Sequence, residues 1–142
     1  MYKHPIGIFI SGRGSNLKSI VDACNKQEYP AEIKVVFSNN KNAPGLSFAK
    51  ENNLEAITLD RHNFKNTEEY EEKIISLLKP YDLELICLAG YMKILSKKLI
   101  DHYPNKIINI HPSLLPKYKG LNTHRRVLKN NETKTGCTVH YV

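Results

Sequence analysis

Asn109 and His111 stand two residues apart in the run Lys106–His111, whose Ile-rich composition is that of a β-strand, so both side chains leave the same face. A carboxamide and an imidazole projecting together can hydrogen-bond a carbonyl oxygen. With the imidazole protonated, they also stabilise the negative charge that develops on that oxygen. This suits acyl transfer without a covalent enzyme intermediate, and the Gly-x-Ser-x-Gly elbow of a serine hydrolase is absent from the chain. Pro112 cannot continue a ladder, so the pair is expected at the carboxyl end of a central strand, where open α/β sheets place their ligands. Taken alone, a histidine here more often serves as a structural hydrogen-bonding group.

A second cluster lies near the start of the chain, at Ile10-Ser11-Gly12-Arg13-Gly14-Ser15-Asn16-Leu17. It joins a strand-like segment to a helix-like one, where backbone N–H groups and the helix dipole form an anion site. Gly12 and Gly14 let the backbone approach a ligand closely, and Ser15 and Asn16 add side-chain donors for a terminal phosphate. Leu17 stands where a dinucleotide fingerprint has its third glycine, and Ser38-Asn39-Asn40 stands where a ribose-binding acid would follow the second strand, which disfavours NAD. No Gly-Lys-Ser/Thr ending is present, so a nucleoside-triphosphate loop is disfavoured too. The competing reading is a tight turn with an N-cap, which any strand-to-helix junction needs.

The elements that must position these groups alternate. Ile6–Ile10, Ile33–Phe37, Leu83–Leu88 and Lys106–His111 read as strands, with a weaker one at Glu55–Leu59. Leu17, Ile20, Val21 and Cys24 fall on one face of a helix that Ser15 is expected to cap. Asn66 with Glu69 resembles a capping box, followed by a stripe of Tyr70, Ile74, Leu77 and Leu78 before Pro80. Pro44–Asn52 and Ser96–His102 complete the alternation, which predicts an α/β fold: a Rossmann-like open, mostly parallel sheet with helices on both faces. Pro112, Pro116 and Gly120 predict a long irregular loop after His111, of the kind that is usually functional in a compact domain. A short helix near His124–Asn130 and a strand at Lys134–Val142 follow.

The chain of 142 residues is of single-domain size, with 41% hydrophobic and 25% charged residues. No run approaches the roughly 18 apolar residues of a membrane span and no signal-peptide core follows Met1, so a cytoplasmic protein with no membrane partner is expected. Cys24, Cys87 and Cys137 are widely spaced and are expected to be buried, reduced small hydrophobes. No metal is expected, because no His, Cys, Asp or Glu cluster has ligand spacing. The net charge of +7 favours anionic ligands, but the basic residues are dispersed, and nucleic acid is disfavoured as a partner. His4, His62 and His102 read as surface residues. His124 either touches ligand or caps the short helix, and the partner of His140 is not set by spacing.

Ile10–Leu17, Leu88–Leu95, Asn109–Pro116, Lys119–His124 and Gly136–Val142 resemble, in order and spacing, the phosphoribosylglycinamide formyltransferases of the formyltransferase superfamily. Asn-Ile-His-Pro-Ser-Leu-Leu-Pro marks the superfamily that uses 10-formyltetrahydrofolate. The Gly-Arg-Gly-Ser-Asn-Leu loop with Lys-Gly-Leu-x-Thr-His marks the glycinamide ribonucleotide branch. The resemblance implies transfer of the formyl group of the co-substrate 10-formyltetrahydrofolate to the amine of glycinamide ribonucleotide in purine biosynthesis. Asn109 and His111 then match the oxyanion-stabilising residues, and Gly14, Ser15 and Asn16 the loop that holds the ribonucleotide phosphate. Met92, Lys93, Ile94 and Leu95, with Asn109, match the segment that borders the folate. Read from spacing alone, Tyr91–Leu95 is a strand-to-helix turn with Met92, Ile94 and Leu95 buried.

The family pattern has His where this chain has Asn122, and its catalytic Asp lies a few residues beyond Val142. Residues 1–142 are therefore expected to form the N-terminal and central part of one formyltransferase domain, truncated at the C-terminus and without appreciable activity by itself. A monomer or homodimer is expected. Two other functions fit the same residues: a formyltetrahydrofolate deformylase, which would deliver water to the same Asn-His pair, and a non-catalytic phosphate- or nucleic-acid-binding module.

Overall fold

The computed structural model describes residues 1–111, 115, 117, 119–131, 134 and 137–142. Pro112, Pro116 and Gly136, on which parts of the loop and strand readings rest, lie outside the described residues. The strands are β1 (His4–Ile10), β2 (Ala31–Ser38), β3 (Ala56–Thr58), β4 (Leu85–Leu88), β5 (Ile107–His111) and β6 (Thr138–Tyr141). The helices are α1 (Ser15–Cys24), α2 (Pro44–Glu51), α3 (Thr67–Leu78), α4 (Lys97–His102) and α5 (Thr123–Lys129). Among the described residues the strands form one sheet in the order β3-β2-β1-β4-β5-β6. All neighbours are parallel except β5 and β6. This is the mostly parallel α/β architecture that the alternation predicts.

The alternation of side chains across β1 divides the core in two. Ile6, Ile8 and Ile10 face Leu17 and Val21 of α1 and Leu46 and Ala49 of α2. On the other face Phe9 packs with Phe37, Ile86 and Leu88 against Tyr70, Ile74 and Leu78 of α3 and Leu99 of α4. A strand covered on both faces has no solvent side, which is why the first strand reads as a nearly continuous apolar run. The predicted helical stripes supply these contacts, with Ile20, Cys24 and Leu77 only partly buried at their margins.

Asn66 caps α3 by accepting the Glu69 N–H at 2.8 Å, but Glu69 reaches back to the Lys65 N–H at 3.4 Å rather than to that of Asn66. A 3₁₀ turn, Lys79–Tyr81, carries the chain past Pro80 before Asp82 takes a left-handed conformation. Two readings are corrected. Ser15 does not cap α1, because Gly14 occupies the N-cap with φ 74° and Ser15 is the first helical residue. Cys137 is exposed, whereas Cys87 is buried and Cys24 half-buried.

Burial raises the Cys87 thiol to about 11 and the Tyr70 hydroxyl to about 12, and pushes up Tyr91 and Tyr103 as well. A group that ionises later in the folded state than in the unfolded chain costs stability once the unfolded chain begins to lose its proton. The fold should hold its full stability at pH 8 and lose it progressively from about pH 9 upward, through about pH 12. Urea midpoints measured at pH 8 and pH 11 test this, and equal midpoints would contradict it.

Candidate active site

The chain passes from β1 to β2 on one side of the sheet and later returns to β4 on the other side of β1. The loops leaving β1 and β4 therefore diverge, opening a crevice at the carboxyl ends of the strands. The strand register sets what borders that crevice: Phe37 pairs with Phe9, Phe9 with Leu88, Leu88 with Asn109, and Asn109 with His140.

The loop after β1 approaches α2 closely. The Gly45 N–H donates to the Gly12 carbonyl at 3.1 Å, and a Cβ on Gly45 would meet Ile10 Cδ1 at 2.4 Å and the Gly12 oxygen at 3.1 Å. A Cβ on Gly14 would come within 3.3 Å of Gly45 Cα, at a backbone angle that only glycine adopts without cost. With Gly14 at the N-cap, no side chain caps α1. The first-turn N–H groups have no intrahelical acceptor, and the exposed Ser15 and Asn16 of that turn line the crevice.

The segment after β4 is pinned at its two ends. The Tyr91 ring lies 5.3 Å from Phe9 and 6.3 Å from Phe37, and Leu95 is buried in the same cluster. Between them Met92 is 64% exposed and Ile94 is 96% exposed. The expectation from spacing that Met92 and Ile94 are buried is thus wrong; only Leu95 is. Two apolar side chains held in solvent between two anchors form a surface suited to a flat, partly apolar ligand. Glu71, a 3% exposed carboxylate on α3, accepts the N–H groups of Ser96 at 2.9 Å and Leu99 at 3.1 Å and the Ser96 hydroxyl. It clamps the start of α4 immediately behind this segment.

Asn109 and His111 sit at the end of β5, both half-buried, on the face shared with their β6 partners His140 and Thr138. Asn109 Nδ2 lies 3.3 Å from His140 Nε2, and His140 Nδ1 lies 3.1 Å from the Tyr141 carbonyl oxygen. A carbonyl only accepts, so Nδ1 carries the proton and Nε2 accepts from Asn109. Among the described residues the second hydrogen of the Asn109 carboxamide has no partner, so it can be offered to a ligand. Asn122, with φ 57°, is the N-cap of α5, a left-handed position that Asn tolerates. His124 therefore does not cap this helix.

Ser15, Asn16, Met92 to Leu95, Asn109 and His111 all line one open groove of about 1260 Å³, which His124, His140 and Cys137 also border. Gly14 does not line it and acts from behind as the turn residue. Sequence reasoning missed Glu71 and the Asn109 to His140 pairing, since neither the burial of one carboxylate on a helix nor a strand register has a local signal.

The described residues contain no group of three or more His, Cys, Asp or Glu that could hold a metal ion, and no helix among them is long and apolar enough to cross a membrane.

The formyl transferase family profile matches residues 5–142. Phosphoribosylglycinamide formyltransferase of Haemophilus influenzae is 45% identical over 137 residues, covering 96% of this chain and 65% of that protein. Its Escherichia coli counterpart is 42% identical, with the same coverage. The chain thus spans 65% of the length of these relatives. The crystal structure of phosphoribosylglycinamide formyltransferase from Brucella melitensis superposes with a TM-score of 0.95 at 41% identity, covering 98% of this chain and 72% of that one. The sheet order, the groove at the strand ends and these likenesses together place the chain in the formyl transferase family, in its phosphoribosylglycinamide formyltransferase branch.

Proposed function

We propose that the protein transfers the formyl group of 10-formyltetrahydrofolate to the amine of glycinamide ribonucleotide, a step of purine biosynthesis. The observation that carries this reading is one groove lined by a helix N-terminus, an exposed apolar segment and an Asn-His pair. These supply a phosphate site, a folate wall and an oxyanion site side by side.

In this mechanism the phosphate of the ribonucleotide rests on the first-turn N–H groups of α1 and on Ser15 and Asn16, in the loop shaped by Gly14. The folate lies along Met92, Lys93, Ile94 and Leu95, with the Lys93 ammonium beside its polar edge. The amine nitrogen attacks the formyl carbon, and the carbonyl electron pair moves onto oxygen. The Asn109 N–H and a protonated His111 stabilise that oxyanion. Collapse breaks the bond from the formyl carbon to N10 of the folate, and the proton lost by the amine ends on N10. Asn109 also borders the folate, and the hydrogen bond to His140 fixes its carboxamide.

Coupled assays with both substrates test the reading: formylated ribonucleotide must accumulate as tetrahydrofolate appears. Formate released without the ribonucleotide would instead identify a hydrolase. Asn16→Ala is expected to raise KM for the ribonucleotide by about tenfold and to leave KM for the folate within about twofold, the effect of one hydrogen bond to a charged group. A larger effect on the folate would remove Asn16 from the phosphate site.

A further inference from the structure

Three strand ends meet at Ser11. Its backbone N–H donates to the Gly90 carbonyl at 3.2 Å, and its own carbonyl accepts from Asn40 Nδ2 at 3.4 Å. Its side chain donates to Asn39 Oδ1 at 2.6 Å and accepts the Met92 N–H at 2.8 Å. A hydroxyl has one hydrogen. Committing it to Asn39 turns the oxygen lone pairs toward Met92, so the order Asn39 to Ser11 to Met92 is directional. The relay starts just past β2, passes through the residue just past β1 and ends just past β4, crossing the point where the strand order reverses. It ties the residue that precedes the Gly12–Leu17 loop to the first residue of the Met92–Leu95 segment. Neither a helix nor a ladder holds Met92.

We propose that Ser11, oriented by Asn39, is a positioning residue that sets the folate wall relative to the phosphate loop, so that the formyl carbon meets the attacking amine. This rests on the formyl-transfer reading of the groove. Reacting groups must be held close to their attack geometry, and an error of about 1 Å in a supporting segment is costly. The two backbone bonds of Ser11 do not involve its hydroxyl, so the phosphate loop keeps these anchors when the side chain is cut back. Met92 N–H, in contrast, loses its acceptor. The effect should therefore fall on the folate side alone.

The experiment compares wild type, Ser11→Ala and Ser11→Thr in the full-length protein, by KM for each substrate and by hydrogen exchange of the Met92 amide in NMR spectra. Ser11→Ala is expected to raise KM for 10-formyltetrahydrofolate by about tenfold, leave KM for glycinamide ribonucleotide within about twofold, and speed Met92 exchange by about tenfold. Ser11→Thr keeps the oxygen and should restore all three. The proposal is overturned if both KM values rise together, if Ser11→Ala leaves the folate KM unchanged, or if Ser11→Thr behaves like Ser11→Ala. A wild-type protein that transfers no formyl group overturns the reading of the groove instead. In that case the exchange arm decides the relay by itself: protection lost only in Ser11→Ala keeps it, and unchanged protection removes it.

Discussion

Replacing Asn109 or His111 with Ala in the full-length protein is expected to lower kcat by about 100-fold or more while each KM changes by only a few-fold. In the proposed reading most of the substrate binding is spread along the groove, from Ser15 and Asn16 to the exposed Met92 and Ile94, and neither substitution alters those lining residues. What is lost is a donor aimed at an oxygen that becomes negative only as the tetrahedral intermediate forms. An interaction that strengthens between ground state and transition state appears in kcat and not in binding. The two single losses should also fail to add in the double variant, because both donors serve one oxygen. Near-wild-type turnover in either variant, in steady-state assays with both substrates saturating, would remove that residue from the mechanism.

Glu71→Ala should give the largest loss of stability, about 3 kcal/mol. The carboxylate is almost fully buried, and it accepts from the Ser96 N–H, the Ser96 hydroxyl and the Leu99 N–H. Truncation leaves these donors facing an apolar cluster of Tyr70, Ile74, Leu95 and Leu99, and it also opens a cavity. Glu71→Gln keeps the shape and one acceptor oxygen but turns an amide N–H toward a donor, so about half the loss is expected. Urea unfolding should show a lower midpoint with an unchanged slope. A shift below about 0.5 kcal/mol for Glu71→Ala would contradict the clamp. Because Leu95 directly precedes Ser96, the same variant loosens the end of the segment proposed to hold the folate.

The sequence by itself determined which runs are strands and which are α-helices, because periodicity is local. Leu17, Val21, Ile74 and Leu78 are spaced for one helical face, and each is buried where that spacing puts it. Asn66 caps α3 through a bond to a residue three positions on. Asn109 and His111 share a face because the side-chain period of a strand is two. The residues that resemble a known family likewise sit in short runs that carry their own signal, and Ser15, Asn16, Met92 to Leu95, Asn109 and His111 do line one groove.

Only the tertiary structure decided which of these runs touch and which side chains are left open. Asn109 is oriented by His140, 31 positions away, and Glu71 clamps Ser96, 25 positions away. Ser11 holds Met92 across 81 positions. Each contact depends on strand order and register, which place residues by the path of the chain and not by their neighbours. The conformation of Gly14 goes with the close approach of Gly45, which moved the cap of α1 from the expected Ser15 and opened the helix end to a ligand. Met92 and Ile94 have the composition of core residues, yet they are exposed because Tyr91 and Leu95 on either side claim the available core. Apolar character states a preference for burial; the space that remains once the sheet and helices have packed determines whether it is met.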